Sequence, residues 1–139
     1  MASGVAVSDQ VVQIYDAIKL GHKHKYFIMK ISDDNTEVEV VKTAETTATW
    51  DDFIGDLPEN DCRYGVFDFD YKTKDGGQRN KLIFVVWAPD TAKIKKKMLV
   101  ASSKDAVRKK LVGINTEIQA TDADETEYDE VLSKVSQYD

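Results

Sequence analysis

The sequence predicts an α/β fold: a central mixed five-stranded sheet flanked by helices on both faces, in the order αββαββαβα. Three observations carry that expectation. Val7, Val11, Ile14 and Ile18 recur at helical spacing near the start. Two pairs of strand-like runs are joined by short polar turns, Ser32-Asp33-Asp34-Asn35 and Asp75-Gly76-Gly77. The run Leu82-Ile83-Phe84-Val85-Val86-Trp87 is apolar without alternation, as in a strand covered on both faces, and a long helical stretch follows it before the next strand.

Taken in order, the first helix can be capped by Ser8 at its start and by Gly21 at its end. Tyr26 to Ile31 and Glu37 to Val41 read as a hairpin. Thr49-Trp50-Asp51-Asp52 opens a short helix, because Thr49 can cap it and the acids suit its positive end; Pro58 stops it. Arg63 to Tyr71 and Lys81 to Trp87 form the second hairpin. A long basic helix runs from Thr91 to about Val112, with a bend expected where its apolar stripe changes face at Ser102-Ser103. Thr116 to Gln119 is a short strand, and Asp124 to Ser136 a last helix with Tyr128, Val131, Leu132 and Val135 inward.

A chain of 139 residues fits one domain spanning 1–139, with residues 1–6 expected to be flexible. The start lacks the basic and apolar regions of a signal peptide, and no apolar run is long enough to cross a bilayer. A single cysteine, Cys62, forms no internal disulfide, which points to a reducing compartment, most simply the cytoplasm. The net charge of −6 argues against a general nucleic-acid binder, but it hides an asymmetry. Lys93 to Lys110 carries eight basic residues and one acid, a local +7 that leaves −13 on the rest. A basic patch on an acidic body suits a single acidic partner.

No catalytic constellation can be assembled. Cys62 opens an apolar strand, where a core thiol is the simpler reading than a nucleophile. His22 and His24 lie in a basic loop without neighbouring Cys or carboxylate ligands, so neither a metal nor a cofactor is expected. Asp75-Gly76-Gly77 leads into a strand and lacks phosphate-loop spacing; it reads as a turn.

Several stretches in order resemble one family. They are Asp61-Cys62-Arg63-Tyr64, Gly77-Gln78-Arg79-Asn80-Lys81, Trp87-Ala88-Pro89-Asp90 leading into Ile94-Lys95-Lys96-Lys97-Met98, Ala101-Ser102-Ser103-Lys104-Asp105 running on to Lys109-Lys110-Leu111, and Gln119-Ala120-Thr121-Asp122. Leu20-Gly21 and Leu57-Pro58-Glu59 fit as well. From about Gly4 to Val135 the chain is similar to the ADF/cofilin family (the ADF-homology domain), in the compact form of unicellular organisms and fungi. The resemblance implies a non-enzymatic protein that binds actin monomers and filament sides, prefers ADP-actin, and twists, severs and depolymerises filaments.

It also implies sites. Ser3, Gly4, Val5, Lys95, Lys97 and Met98 correspond to the monomer- and filament-binding surface, with Met98 as an adaptable apolar anchor among lysines. Arg79, Lys81 and Lys134 correspond to the filament-specific surface; Ser133 and Gln137 stand where the family often carries charge. Ser3 corresponds to an inhibitory phosphorylation site, whose added negative charge would oppose an acidic partner. Phosphoinositides, which compete with actin in the family, would meet Lys95, Lys96, Lys97, Lys104, Lys109 and Lys110. A monomeric, cytoplasmic protein of the actin cytoskeleton is expected, without membrane insertion and without the basic nuclear-localisation run of animal relatives. Two other readings share the fold or the charge: a filament-only binder resembling coactosin, and a phosphoinositide-binding adaptor.

Overall fold

A computed structural model describes residues 5–137. One mixed sheet of six strands runs through it in the order β1-β3-β2-β4-β5-β6. The strands are β1 Ala6–Val7, β2 Tyr26–Ile31, β3 Glu37–Ala44, β4 Arg63–Lys72, β5 Gln78–Trp87 and β6 Thr116–Ala120. The helices are α1 Asp9–Gly21, α2 Trp50–Gly55, α3 Ile94–Lys110 and α4 Tyr128–Val135, the last preceded by a 3₁₀ turn at Ala123–Thr126.

The strand count exceeds the expected five because β1 is only two residues long, too short to show any periodicity. It joins the sheet edge in parallel, Ala6 opposite Glu37 and Val7 opposite Val38. Val5 and Ala6, expected within a flexible terminus, are therefore held, and Val5 is buried.

The two hairpins form the frame. β4 and β5 pair antiparallel without a bulge from Arg63–Trp87 to Lys72–Gln78, longer than the apolar run alone indicated. Their residues alternate between two cores. Tyr64, Val66, Phe84 and Val86 pack beneath α1 and α3 with Val11, Ile18, Val100 and Val107. Phe67, Phe69, Ile83 and Val85 pack on the other face with Trp50, Phe53, Val131 and Val135 of α2 and α4. The helices thus lie on both faces. β5 and β6 run parallel, with α3 as the crossover.

Local chemistry sets the helix ends. Ser8 caps α1, and Thr49 with Asp52 forms a reciprocal capping box on α2. At the end of α1 it is His22, not Gly21, that takes the left-handed conformation, with φ of 48°, and its amide closes onto Ala17 and Ile18 carbonyls. Tyr128, expected to point inward, is exposed at the start of α4 yet stacks on Phe69 at 5.4 Å. The expected last helix starts later because Asp122 caps the 3₁₀ turn first.

Gly65 marks a close contact between sheet and helix. A Cβ there would sit 2.5 Å from Cζ of the buried Phe53 ring. Replacing it, Gly65→Ala, is expected to destabilise the fold by about 1–3 kcal/mol through overpacking. An unchanged urea midpoint would contradict this packing.

Candidate functional site

The +7 segment is mostly one helix with two unlike faces. From Val100 onward, α3 buries Val100, Ser103 and Val107 against the sheet, with Leu111 just beyond its end. Tyr64 Oη donates to the Val100 carbonyl at 2.5 Å, entering the helix near the residues where the apolar stripe changes face. The opposite face of the helix turns its apolar residues to solvent. Ile94 is 72% exposed and Met98 67%, and Ala101 on the same face is also exposed. Large apolar side chains with such exposure, ringed by lysines, have the composition of an interface and not of a core.

The front of α3 also departs from good helix chemistry. Its cap position is Lys93, with no side-chain capping bond, and no acid occupies the first turn. Lys93, Lys95 and Lys96 instead place positive charge at the positive end of the helix dipole. Each such misplacement costs a few tenths of a kcal/mol locally. An acidic surface docking there would relieve it.

Around this end the predicted residues come together in part. Lys95 is exposed and makes no polar contact among the described residues. Lys97 Nζ reaches the Asp90 carbonyl at 3.2 Å, and Lys96 Nζ donates to Asn35 Oδ1 at 2.8 Å, which ties α3 to the first hairpin turn. β1 packs against α3, and Val5 lies in the same core as Val100. Val5, expected in the binding surface, is buried in this core. Ser3 and Gly4 lie outside the described residues.

The second predicted surface is separate. Arg79 is exposed near the start of β5, opposite Tyr71. From Arg79 to Trp87 the strand covers eight steps, about 27 Å at strand rise. Because α3 begins just after β5 ends, Arg79 and the front of α3 sit at opposite ends of the strand. Lys81 is half-buried, with Nζ 2.9 Å from the Val135 carbonyl. Lys134 is exposed on α4. Its charge adds to the pull of the Thr121 hydroxyl and amide that hold the Glu125 carboxyl below its ordinary range.

The six lysines proposed for an anionic headgroup do not form one patch. Lys95 to Lys97 and Lys109-Lys110 stand about 20 Å apart along the helix axis. Between them Lys104 is engaged by Glu117 Oε2 at 3.1 Å, and Arg108 holds Glu117 Oε1 at 2.8 Å. Burial raises the pKa of the Glu117 carboxyl, but hydrogen bonds from Gln119, Lys104 and Arg108 outweigh it and leave the value lowered.

Two sequence readings are settled by these surroundings. Cys62 is buried, and burial pushes its thiol pKa up, which suits a core residue and not a nucleophile. His22 is not simply a loop residue, since its Nδ1 lies 2.8 Å from Oδ2 of the buried Asp68. The exposure of Ile94 was not singled out from the sequence, although its helical phase with Met98 and Ala101 was readable. What the sequence lacked was any sign that this face has no cover.

The fold presents an exposed apolar helix face among lysines and, at the far end of β5, a separate exposed cation, Arg79. The comparisons identify the class. Residues 4–136 match the family model described as cofilin/tropomyosin-type actin-binding protein. Cofilin of Mycosarcoma maydis is 53% identical over 136 residues, covering 98% of this chain and 97% of that protein. Actophorin of Acanthamoeba castellanii is 52% identical, covering 95% of each. The crystal structure of a Streptomyces griseoflavus cofilin superposes with a TM-score of 0.90 at 47% identity, over 96% of this chain and 98% of that one. The chain belongs to the ADF/cofilin family.

The Glu117 cluster yields a prediction with a defined sign. A carboxylate with a lowered folded pKa stabilises the fold above its ordinary value near 4.5, and that stabilisation is lost as pH falls through the folded value. Glu117→Gln should therefore lower stability at pH 7 by about 1 kcal/mol, and the gap to the parent should close below about pH 4.5. Equal gaps at both pH values in urea unfolding would contradict the assignment.

Proposed function

We propose that this protein binds actin monomers and the sides of actin filaments, and promotes filament severing and depolymerisation. One observation carries the reading: an uncovered apolar helix front, Ile94 and Met98, set among lysines in a helix end that its own charges disfavour. In this reading Met98 and Ile94 enter an apolar groove on actin while Lys95 and Lys97 meet acids at its rim. Ser3 and Gly4 belong to the same contact in this reading, and phosphorylation of Ser3 would set a doubly negative group against an acidic partner. Arg79 and Lys134, at the far end of β5 and on α4, reach a second actin subunit, which is how a filament would be told from a monomer. Anionic phosphoinositide headgroups would compete at Lys95 to Lys97, where the ammonium groups overlap the actin surface. The protein acts as a monomer in the cytoplasm, without catalysis. The filament-only alternative is not favoured, since the relatives at about half identity are cofilin and actophorin.

Lys95→Ala combined with Lys97→Ala should weaken monomer binding by about 1–3 kcal/mol, as for desolvated interface charges. Titration of labelled actin monomers measures this, and unchanged affinity refutes the α3 surface. Arg79→Ala should leave monomer affinity alone and lower co-sedimentation with filaments. Imaging of single filaments then tests severing: filaments that bind the protein but never fragment would overturn that part of the proposal.

A further inference from the structure

Lys81 stands in the sequence beside Arg79, as the second half of the filament contact. The structure engages its ammonium inside the molecule. Arg79 and Lys81 share the face of β5 that carries Ile83, the face covered by α4. Arg79 ends in solvent, whereas Lys81 turns toward the helix. Its Nζ donates to the carbonyl of Val135, the last residue of α4, at 2.9 Å, and lies 5.7 Å from the centre of the Tyr71 ring.

That contact meets a physical need. The last carbonyls of a helix have no partner within it and carry the negative end of the dipole, so a lysine there supplies both a donor and a charge. α4 has eight residues, too few to be stable by itself, and its start at Glu127 has no side-chain cap. Val131 and Val135 anchor it in the core, and Lys81 binds its final turn to the strand. The tethered residue follows Lys134 directly, so the orientation of that exposed cation depends on where the turn is held.

We infer that Lys81 is a positioning residue, whose ammonium fixes the C-terminal turn of α4 and so aims Lys134, while Arg79 and Lys134 themselves touch the filament. The inference rests on the filament-binding reading above. It makes the β4–β5 hairpin and α4 a single rigid contact surface, although Arg79 and Lys134 come from separate elements.

The test uses the full chain with Lys81→Met, which keeps the stem over Tyr71 and removes the ammonium, and Lys81→Arg, which keeps donors and charge. Amide hydrogen exchange reads the end of α4, and co-sedimentation and monomer titration read the two kinds of binding. In Lys81→Met, exchange at residues 131–136 should rise about fivefold, filament affinity should fall, and monomer affinity should hold. Lys81→Arg should restore protection and filament affinity together. Adding Lys134→Ala to Lys81→Met should cost less filament affinity than Lys134→Ala alone costs the parent. Arg79→Ala should weaken filament binding without moving α4 exchange. The inference is overturned if Lys81→Met lowers filament affinity with α4 exchange unchanged, if the Lys81 and Lys134 effects simply add, or if α4 loosens and filament affinity stays. A parent protein that does not co-sediment at all would refute the filament reading instead, while the exchange data would still report the tether.

Discussion

The two-sided burial of the β4–β5 pair is the constraint on which the rest depends. Ten residue pairs in unbroken antiparallel register send Tyr64, Val66, Phe84 and Val86 to one face and Phe67, Phe69, Ile83 and Val85 to the other. A helix layer must cover each set, since burying one such side chain is worth about 1.5–3 kcal/mol. α3 answers for one face, but it is a crossover helix whose start is dictated by the end of β5. Its inner face, with Leu99, Val100 and Val107, packs on that core. Ile94 and Met98 lie on the face of α3 turned away from the buried Val100, Ser103 and Val107, and they are left uncovered.

The uncovered face coincides with a helix start where favourable local chemistry is abandoned. α1, α2 and the 3₁₀ turn are capped by Ser8, Thr49 and Asp122. α3 starts on Lys93 with lysines following. Sequences that break a local rule commonly do so where function requires it. The same charges that weaken an isolated helix start become favourable when an acidic partner supplies the missing negative groups.

Much of the fold was readable in the residues, for identifiable reasons. Turns with Asp, Asn and Gly, and runs of β-branched and aromatic residues, announce the two hairpins directly. The two-residue strand β1 had no periodicity to show, and it forms only because β3 offers it an edge. His22 took the left-handed position that Gly21 was expected to fill, because the helix runs one residue further before it closes. For the proposed surface, Lys95, Lys97 and Met98 were named through the family motif. Ile94 was not, since exposure is a property of what covers a face. Lys81 and Lys104 looked like free surface cations, and only the three-dimensional neighbours Val135 and Glu117 reveal their internal engagements.

In the proposed function, the exposed face at the front of α3 is the surface that meets actin. Methyl NMR of the protein with and without actin monomers tests it most directly, because Ile94 and Met98 carry methyl groups at the centre of the proposed contact. The account predicts that the Ile94 and Met98 methyl signals shift or broaden on binding, while those of Leu20 and Val112, exposed apolar residues elsewhere on the surface, stay in place. Binding that leaves the Ile94 and Met98 signals unmoved would contradict it.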